Sequence, residues 1–265
     1  MSNSAFLAMG AGVVGLGALG LIGLSAVGGA PKEAPAQIAA STALSGAEQD
    51  AFRSEVRAYL MDNPEVLMEA IGVLEARQAE QQAAGDVEML RVNADDLYND
   101  PNSWIGGNPD GDITIVEFLD YRCGYCRRAH GEVNELLTSD GNIRLIVKEF
   151  PILGEASLRS SQFAVAVKLA AGDEAYKAAH DALIDLRPDP SDAVLAQLAA
   201  TLGLDGEAII ADMTGDAVQK VIAENLALGQ RLSINGTPTF VMGDQMVRGY
   251  LPLEGMQQVV AEERG

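Results

Sequence analysis

Apolar and polar positions along the chain follow different rhythms in different stretches, and the changes of rhythm mark its parts. Residues 5–30 carry no charged side chain. A helix of that length, rising ~1.5 Å per residue, exceeds the ~30 Å hydrocarbon core of a bilayer. A hydrophobic N-terminal helix is therefore expected over residues 1–30. It reads as an anchor, because no Lys or Arg precedes the run and the run outlasts a typical signal core. A cleaved signal peptide, with a small-residue site such as Ala26-Val27-Gly28, is the alternative. Gly10-Ala11-Gly12-Val13-Val14-Gly15 spells a dinucleotide-binding fingerprint but lacks the preceding strand it needs, so it is set aside. Residues 31–46, rich in Ala, Pro, Ser and Thr, read as a flexible linker. Residues 47–98 then take up helical spacing. Phe52, Val56, Tyr59 and Leu60 form one apolar stripe, and Leu67, Ile71 and Leu74 form another. Asn63-Pro64 separates them, a capping residue followed by a first-turn proline.

Beyond residue 98 short β-branched runs alternate with helical patterns. Ile113 to Leu119 reads as a buried strand, and the turn cluster Gly106-Gly107-Asn108-Pro109-Asp110-Gly111 predicts a hairpin leading into it. Residues 127–138 carry Ala129, Val133, Leu136 and Leu137 at helical spacing, and residues 143–150 form the next strand. Residues 157–228 are helical, broken at Gly172-Asp173, Pro188-Asp189-Pro190 and Gly203. Residues 239–242 and 246–248 read as a hairpin through Gly243-Asp244, and residues 253–262 as a final helix.

Charge changes the picture by exclusion. With 38 acidic against 18 basic residues the formal net charge is −20, and nucleic acid is excluded as a partner because it selects basic surfaces. At 265 residues the chain can bury one large core or two small ones.

The chemistry concentrates in Cys123-Gly124-Tyr125-Cys126, which holds both cysteines of the chain. Cys123 falls where the 113–119 strand feeds a helix. The unpaired N–H groups and dipole of a helix N-terminus favour a thiolate, the reactive form. Cys123 would be exposed and attack, and Cys126, one turn in, would be shielded and resolve the mixed disulfide. A static bridge over so small a loop would stabilise little. A zinc site built on Cys126-x-x-x-His130 lacks ligands, since His180 is the one other histidine. No metal and no cofactor is expected, and both histidines read as surface or packing residues.

Three segments resemble the DsbA family of thiol:disulfide oxidoreductases, in its Com1/ScsC-like branch: Asp120-Tyr121-Arg122-Cys123-Gly124-Tyr125-Cys126-Arg127-Arg128, Val147-Lys148-Glu149-Phe150-Pro151-Ile152-Leu153 and Ile234-Asn235-Gly236-Thr237-Pro238-Thr239-Phe240. The resemblance spans about residues 100–262. It implies an α/β thioredoxin fold over residues 99–265, with a helical subdomain inserted at about 155–232. It implies Cys123 and Cys126 as the redox pair, with substrate chains held by Gly124, Tyr125, Thr237 and a cis-proline loop at Pro238. Glu117, flanked by apolar residues, is a candidate proton relay, and Lys148 is its expected charge partner. Gly-Tyr between the cysteines departs from the Pro-His of the strongest oxidants, so a less depressed Cys123 pKa is expected. That opens isomerisation or reduction as the working direction. Tyr59-Leu60-Met61-Asp62-Asn63-Pro64-Glu65-Val66-Leu67 resembles the oligomerisation segment of ScsC-like members, implying a homo-oligomer through residues 47–84. The implied partners are unfolded or misoxidised secreted proteins and a membrane redox partner, in the periplasm. Soft-metal handling by the same thiols, copper(I) above all, is the rival function.

Overall fold

A computed structural model describes residues 45–265. The apolar run at 5–30 and nearly all of the 31–46 linker lie outside the described residues. Among the described residues no helix is long and apolar enough to cross a membrane. Of the unit ending at Asp62, the described part is helix α1, Gly46–Asp62. Ser45 and Glu48 form a capping box at its start. The Ser45 backbone N–H and hydroxyl donate to Glu48 Oε2 at 2.8 and 2.7 Å, and Glu48 N–H donates back to Ser45 Oγ at 3.4 Å. No residue of α1 is buried, and Phe52, Val56, Tyr59 and Met61 are exposed.

The second unit begins at Asn63. Helix α2 (Glu65–Val92) leaves Leu67, Met68, Ile71 and Leu74 exposed but fastens its C-terminal part, where Asp86 and Leu90 are buried. Arg248 donates twice to Asp86, at 2.6 and 2.8 Å. Helix α3 (Ala94–Tyr98) follows directly. Five strands make one sheet in the order β1-β3-β2-β4-β5: β1 Trp104–Gly107, β2 Ile113–Leu119, β3 Ile143–Glu149, β4 Thr239–Met242 and β5 Gln245–Arg248. β2 and β3 run parallel with helix α4 (Gly124–Asp140) between them, and β4 and β5 close the sheet as the predicted antiparallel hairpin. The hairpin predicted between β1 and β2 does not form. The turn cluster instead carries the chain across β3, and β1 pairs antiparallel with β3's far edge. Asn108 and Asp112 both donate backbone N–H bonds into the start of β3, to Ile143 O at 2.8 Å and Asn142 O at 2.9 Å.

β2 and β3 are buried on both faces, which is why they read as continuous apolar runs rather than alternating ones. Their alternation still sorts residues between two cores. Ile113, Ile115, Leu119, Ile143, Leu145 and Val147 meet the larger core with α4 and the inserted helices, whereas Val116, Phe118 and Ile146 meet Phe150, Leu228 and Leu232 on the other side. The insertion consists of α5 (Glu155–Asp185), α6 (Asp192–Thr201), α7 (Gly206–Asp212) and α8 (Asp216–Arg231). α5 is broken at Gly172, whose φ of 84° suits a residue without Cβ. Helix α9 (Leu253–Arg264) ends the chain against α4.

Candidate active site

Asp120 at the end of β2 is fully buried and organises the turn into α4. Its Oδ1 accepts from Arg122 N–H at 2.8 Å, and its carbonyl accepts from Cys123 N–H at 3.0 Å. Its Oδ2 accepts from Ile152 and Leu153 N–H at 2.9 and 3.1 Å, tying the loop after β3 to the same turn. Cys123 is thereby set in extended conformation as the N-cap of α4, and Cys126 lies inside its first turn.

Both cysteines are free thiols here. Cys126 is 1% exposed and Cys123 8%. The expectation of an exposed Cys123 is thus corrected: the cis Thr237-Pro238 peptide lies over it, with the Thr237 carbonyl oxygen 3.1 Å from Cys123 Sγ. The Cys123 pKa is pulled down to about 5, first by the hydrogen bond from the Cys126 thiol, with help from the Thr237 side chain and the N–H groups of Cys126 and Tyr125, against the opposing effect of burial. Cys126 is pushed far up by that same hydrogen bond, by burial and by the charge of Glu117. The two sulfurs are therefore unequal, Cys123 the more acidic and Cys126 the less. Cys123 owes this acidity to the partner sulfur and to the N–H groups at the helix N-terminus.

Glu117 sits on the Cys126 face of β2, 5% exposed. Burial, and then the charge of Glu149, raise its pKa to about 8. Lys148 is not its partner. Parallel pairing sets Lys148 beside Phe118, so its side chain leaves on the opposite face. There its Nζ donates to Asp96 O and Asp100 Oδ2, each at 2.7 Å. The next residue, Glu149, pairs with Leu119 and so shares Glu117's face. Glu149 accepts from Tyr121 and Tyr176 hydroxyls at 2.7 and 2.6 Å, and burial raises its pKa to about 7. Sequence reading missed Glu149. Its place on that face follows from the strand register, which pairs Val147 with Glu117 and Leu119 with Glu149.

Tyr125 is 61% exposed beside the thiols and stacks on Tyr250 with ring centroids 6.1 Å apart. Arg128 lies 4.3 Å over the Tyr250 ring, and the Tyr250 hydroxyl donates to Glu132 at 2.6 Å. Gly249 N–H donates to Pro238 O at 2.9 Å, so Tyr250 is joined to the cis-proline loop. Tyr250, too, was not anticipated.

The DSBA-like thioredoxin domain family matches residues 114–261, which take in the thiols, the cis-proline loop and the inserted helices. The chain belongs to this family. The DSBA-like domain is preceded by a match, over residues 48–81, to the N-terminal domain of the copper resistance protein ScsC. Among solved structures, a thioredoxin-like oxidoreductase from Silicibacter pomeroyi is 41% identical with a TM-score of 0.60, covering 64% of this chain and 96% of that one. ScsC from Proteus mirabilis, in a transitional conformation, is 30% identical with a TM-score of 0.60, over 84% of this chain and 98% of that one. Among curated relatives, an Na(+)/H(+) antiporter NhaA of Salinispora arenicola is 32% identical over 59% of this chain. The chain spans only 24% of that protein's length, so the likeness is to one part of it.

Proposed function

We propose that the protein is an exported thiol:disulfide oxidoreductase that reduces, isomerises or forms disulfides in secreted proteins. The observation that carries this is the geometry of the pair: Cys123 caps α4 under the cis-proline loop, and Cys126 lies shielded one turn behind it. In the reducing direction the Cys123 thiolate attacks one sulfur of a substrate disulfide. That S–S bond breaks, one substrate sulfur leaves as thiolate, and a mixed disulfide forms. Cys126 gives its proton to the Glu117 carboxylate and attacks Cys123 Sγ. The second substrate thiolate leaves, two electrons have passed to the substrate, and Cys123–Cys126 is a disulfide. The reverse sequence oxidises a dithiol, with protonated Glu117 returning the proton to Cys126. A carboxyl with a pKa of about 8 can act in either role near neutral pH.

Substrate chains bind extended against Thr237 and the Gly124-Tyr125 turn. The exposed Tyr125, Ile152 and Leu153 offer apolar contact beside the thiols. Residues 47–84 build a homo-oligomer. The match to the ScsC N-terminal domain and the exposed Leu67, Met68, Ile71 and Leu74 support this, and an oligomer favours isomerase or reductase work. A membrane redox partner resets the pair. The site of action is the periplasm, with residues 5–30 as inner-membrane tether, or the soluble periplasm after cleavage.

The test is the reduction potential of the pair together with reactivation of scrambled ribonuclease. Cys123→Ser should abolish reactivation, and retained activity in that variant would sink the proposal. The ScsC match also favours a second reading, copper(I) held by the two thiols. Tight 1:1 Cu(I) binding without disulfide exchange would select it.

A further inference from the structure

The two histidines of the chain lie 50 residues apart in sequence, one on α4 and one on α5, yet their ring centroids are 5.1 Å apart. With Asp181 they form a cluster whose ligand atoms all lie within 4.8 Å of one another, and neither cysteine belongs to it. Sequence reading had placed both as surface or packing residues. His180 is 4% exposed, stacked against Trp104 and Tyr176, and held by one hydrogen bond, Nδ1 to the Tyr121 hydroxyl at 3.0 Å.

That bond assigns the tautomer. With Glu149 ionised, Tyr121 donates its one proton to Glu149 Oε1, and its oxygen then accepts from His180 Nδ1–H. Nε2 is then left as a bare lone pair, with no donor to it among the described residues. Metal-bound imidazoles are oriented by a hydrogen bond from the far ring nitrogen, and here the Tyr121 hydroxyl, itself held by Glu149, is placed to receive it.

We propose that His130, His180 and Asp181 bind a divalent transition-metal ion of the zinc(II) type, with His180 ligating through Nε2. Imidazole and carboxylate suit such an ion, and three protein ligands leave a coordination position open. Around a tetrahedral ion with bonds of about 2.1 Å, ligand atoms sit roughly 3.4 Å apart, so the widest spacing in the cluster must contract by up to about 1.4 Å. His130 and Asp181 can supply that movement, since their side chains are 21% and 44% exposed.

The groups that now occupy the ligands identify the competitor. His130 Nε2 lies 3.0 Å from Asp181 Oδ1 and 3.1 Å from Asn134 Nδ2. Lys177 Nζ donates to both oxygens of Asp181, at 2.7 and 2.5 Å. A metal ion must displace this ammonium, so removing Lys177 should tighten binding, the opposite of what loss of a structural contact would do.

The experiment uses the full chain with Cys123→Ser and Cys126→Ser, so that no thiol can ligate. Zn(II) is titrated in competition with a chromogenic chelator. One ion per chain is expected, with affinity falling at least ~10-fold in His130→Ala and Asp181→Asn and rising in Lys177→Ala. Co(II) in the same protein should show visible d–d bands without thiolate-to-cobalt charge transfer. No stoichiometric binding in the thiol-free chain overturns the proposal, as does binding that His130→Ala and Asp181→Asn leave unchanged. Since the thiols are absent, the outcome does not depend on whether the redox reading holds.

Discussion

Glu117→Gln should stabilise the fold while impairing the reaction. The carboxyl is buried among apolar side chains behind Cys126, and its pKa rises from 4.5 to about 8. A group raised on folding binds its proton more tightly in the folded chain. The native state is therefore undisturbed below pH 4.5 and loses stability as pH rises through the interval up to 8. At 1.36 kcal/mol per pH unit, holding Glu117 neutral at pH 7 against an unfolded value of 4.5 costs about 3 kcal/mol, and above pH 8 the cost levels near ~5 kcal/mol. Glutamine keeps the shape and removes the titration, at ~1 kcal/mol for a buried amide that is incompletely hydrogen-bonded. The net gain at pH 7 is then about 2 kcal/mol, vanishing or reversing at pH 4. Urea unfolding at pH 4, 7 and 8.5 measures it, in a Cys123→Ser/Cys126→Ser background so that thiol titration does not contribute. With the thiols restored, the same variant should release the mixed disulfide more slowly. A stability difference that is flat with pH would refute the assignment of the cost to the Glu117 charge, and with it the proton-relay argument.

Other outcomes follow from the same geometry. Alkylation of Cys123 by iodoacetamide should be half-maximal near pH 5, with the reactive thiolate present above and lost below, and a midpoint near the free-thiol value of ~8.5 would contradict the thiolate assignment. Cys126→Ser should accumulate mixed disulfides with substrate, visible on non-reducing gels, because the resolving thiol is gone. Lys148→Met should destabilise by ~3 kcal/mol by stranding Asp100, yet leave the alkylation midpoint of Cys123 where it was; a shifted midpoint would put Lys148 back in the relay. Gly229→Ala should cost ~1–3 kcal/mol in chemical denaturation, since a Cβ there would fall 2.2 Å from the Phe150 ring. Leu67→Glu with Ile71→Glu should turn the proposed oligomer into monomers by light scattering and shift the proposed isomerase activity towards net oxidation, and an unchanged mass would rule out residues 47–84 as its interface.

The amino-acid order alone determined the strands at Ile113 and Ile143, the helix opening on Cys123, the closing hairpin and the break at Gly172. Each of these depends on local matters: periodicity, turn chemistry and backbone freedom. Two cysteines at one-turn spacing marked the proposed redox pair for the same reason, because helix geometry makes such residues neighbours. What local pattern cannot supply is the register between strands far apart in sequence. The pairing of Leu119 with Glu149 put that carboxyl, and not Lys148, on the face of Glu117, and a one-residue difference in pairing reverses the face of every side chain. Strand order likewise sent β1 to the far edge of β3 instead of into a hairpin. Only packing brought the Thr237-Pro238 loop over Cys123, and only packing set His130 against His180. Those contacts join α4 to segments 114 and 50 residues further along the chain; the resemblance of residues 234–240 anticipated the first, and no residue near His130 or His180 announces the second.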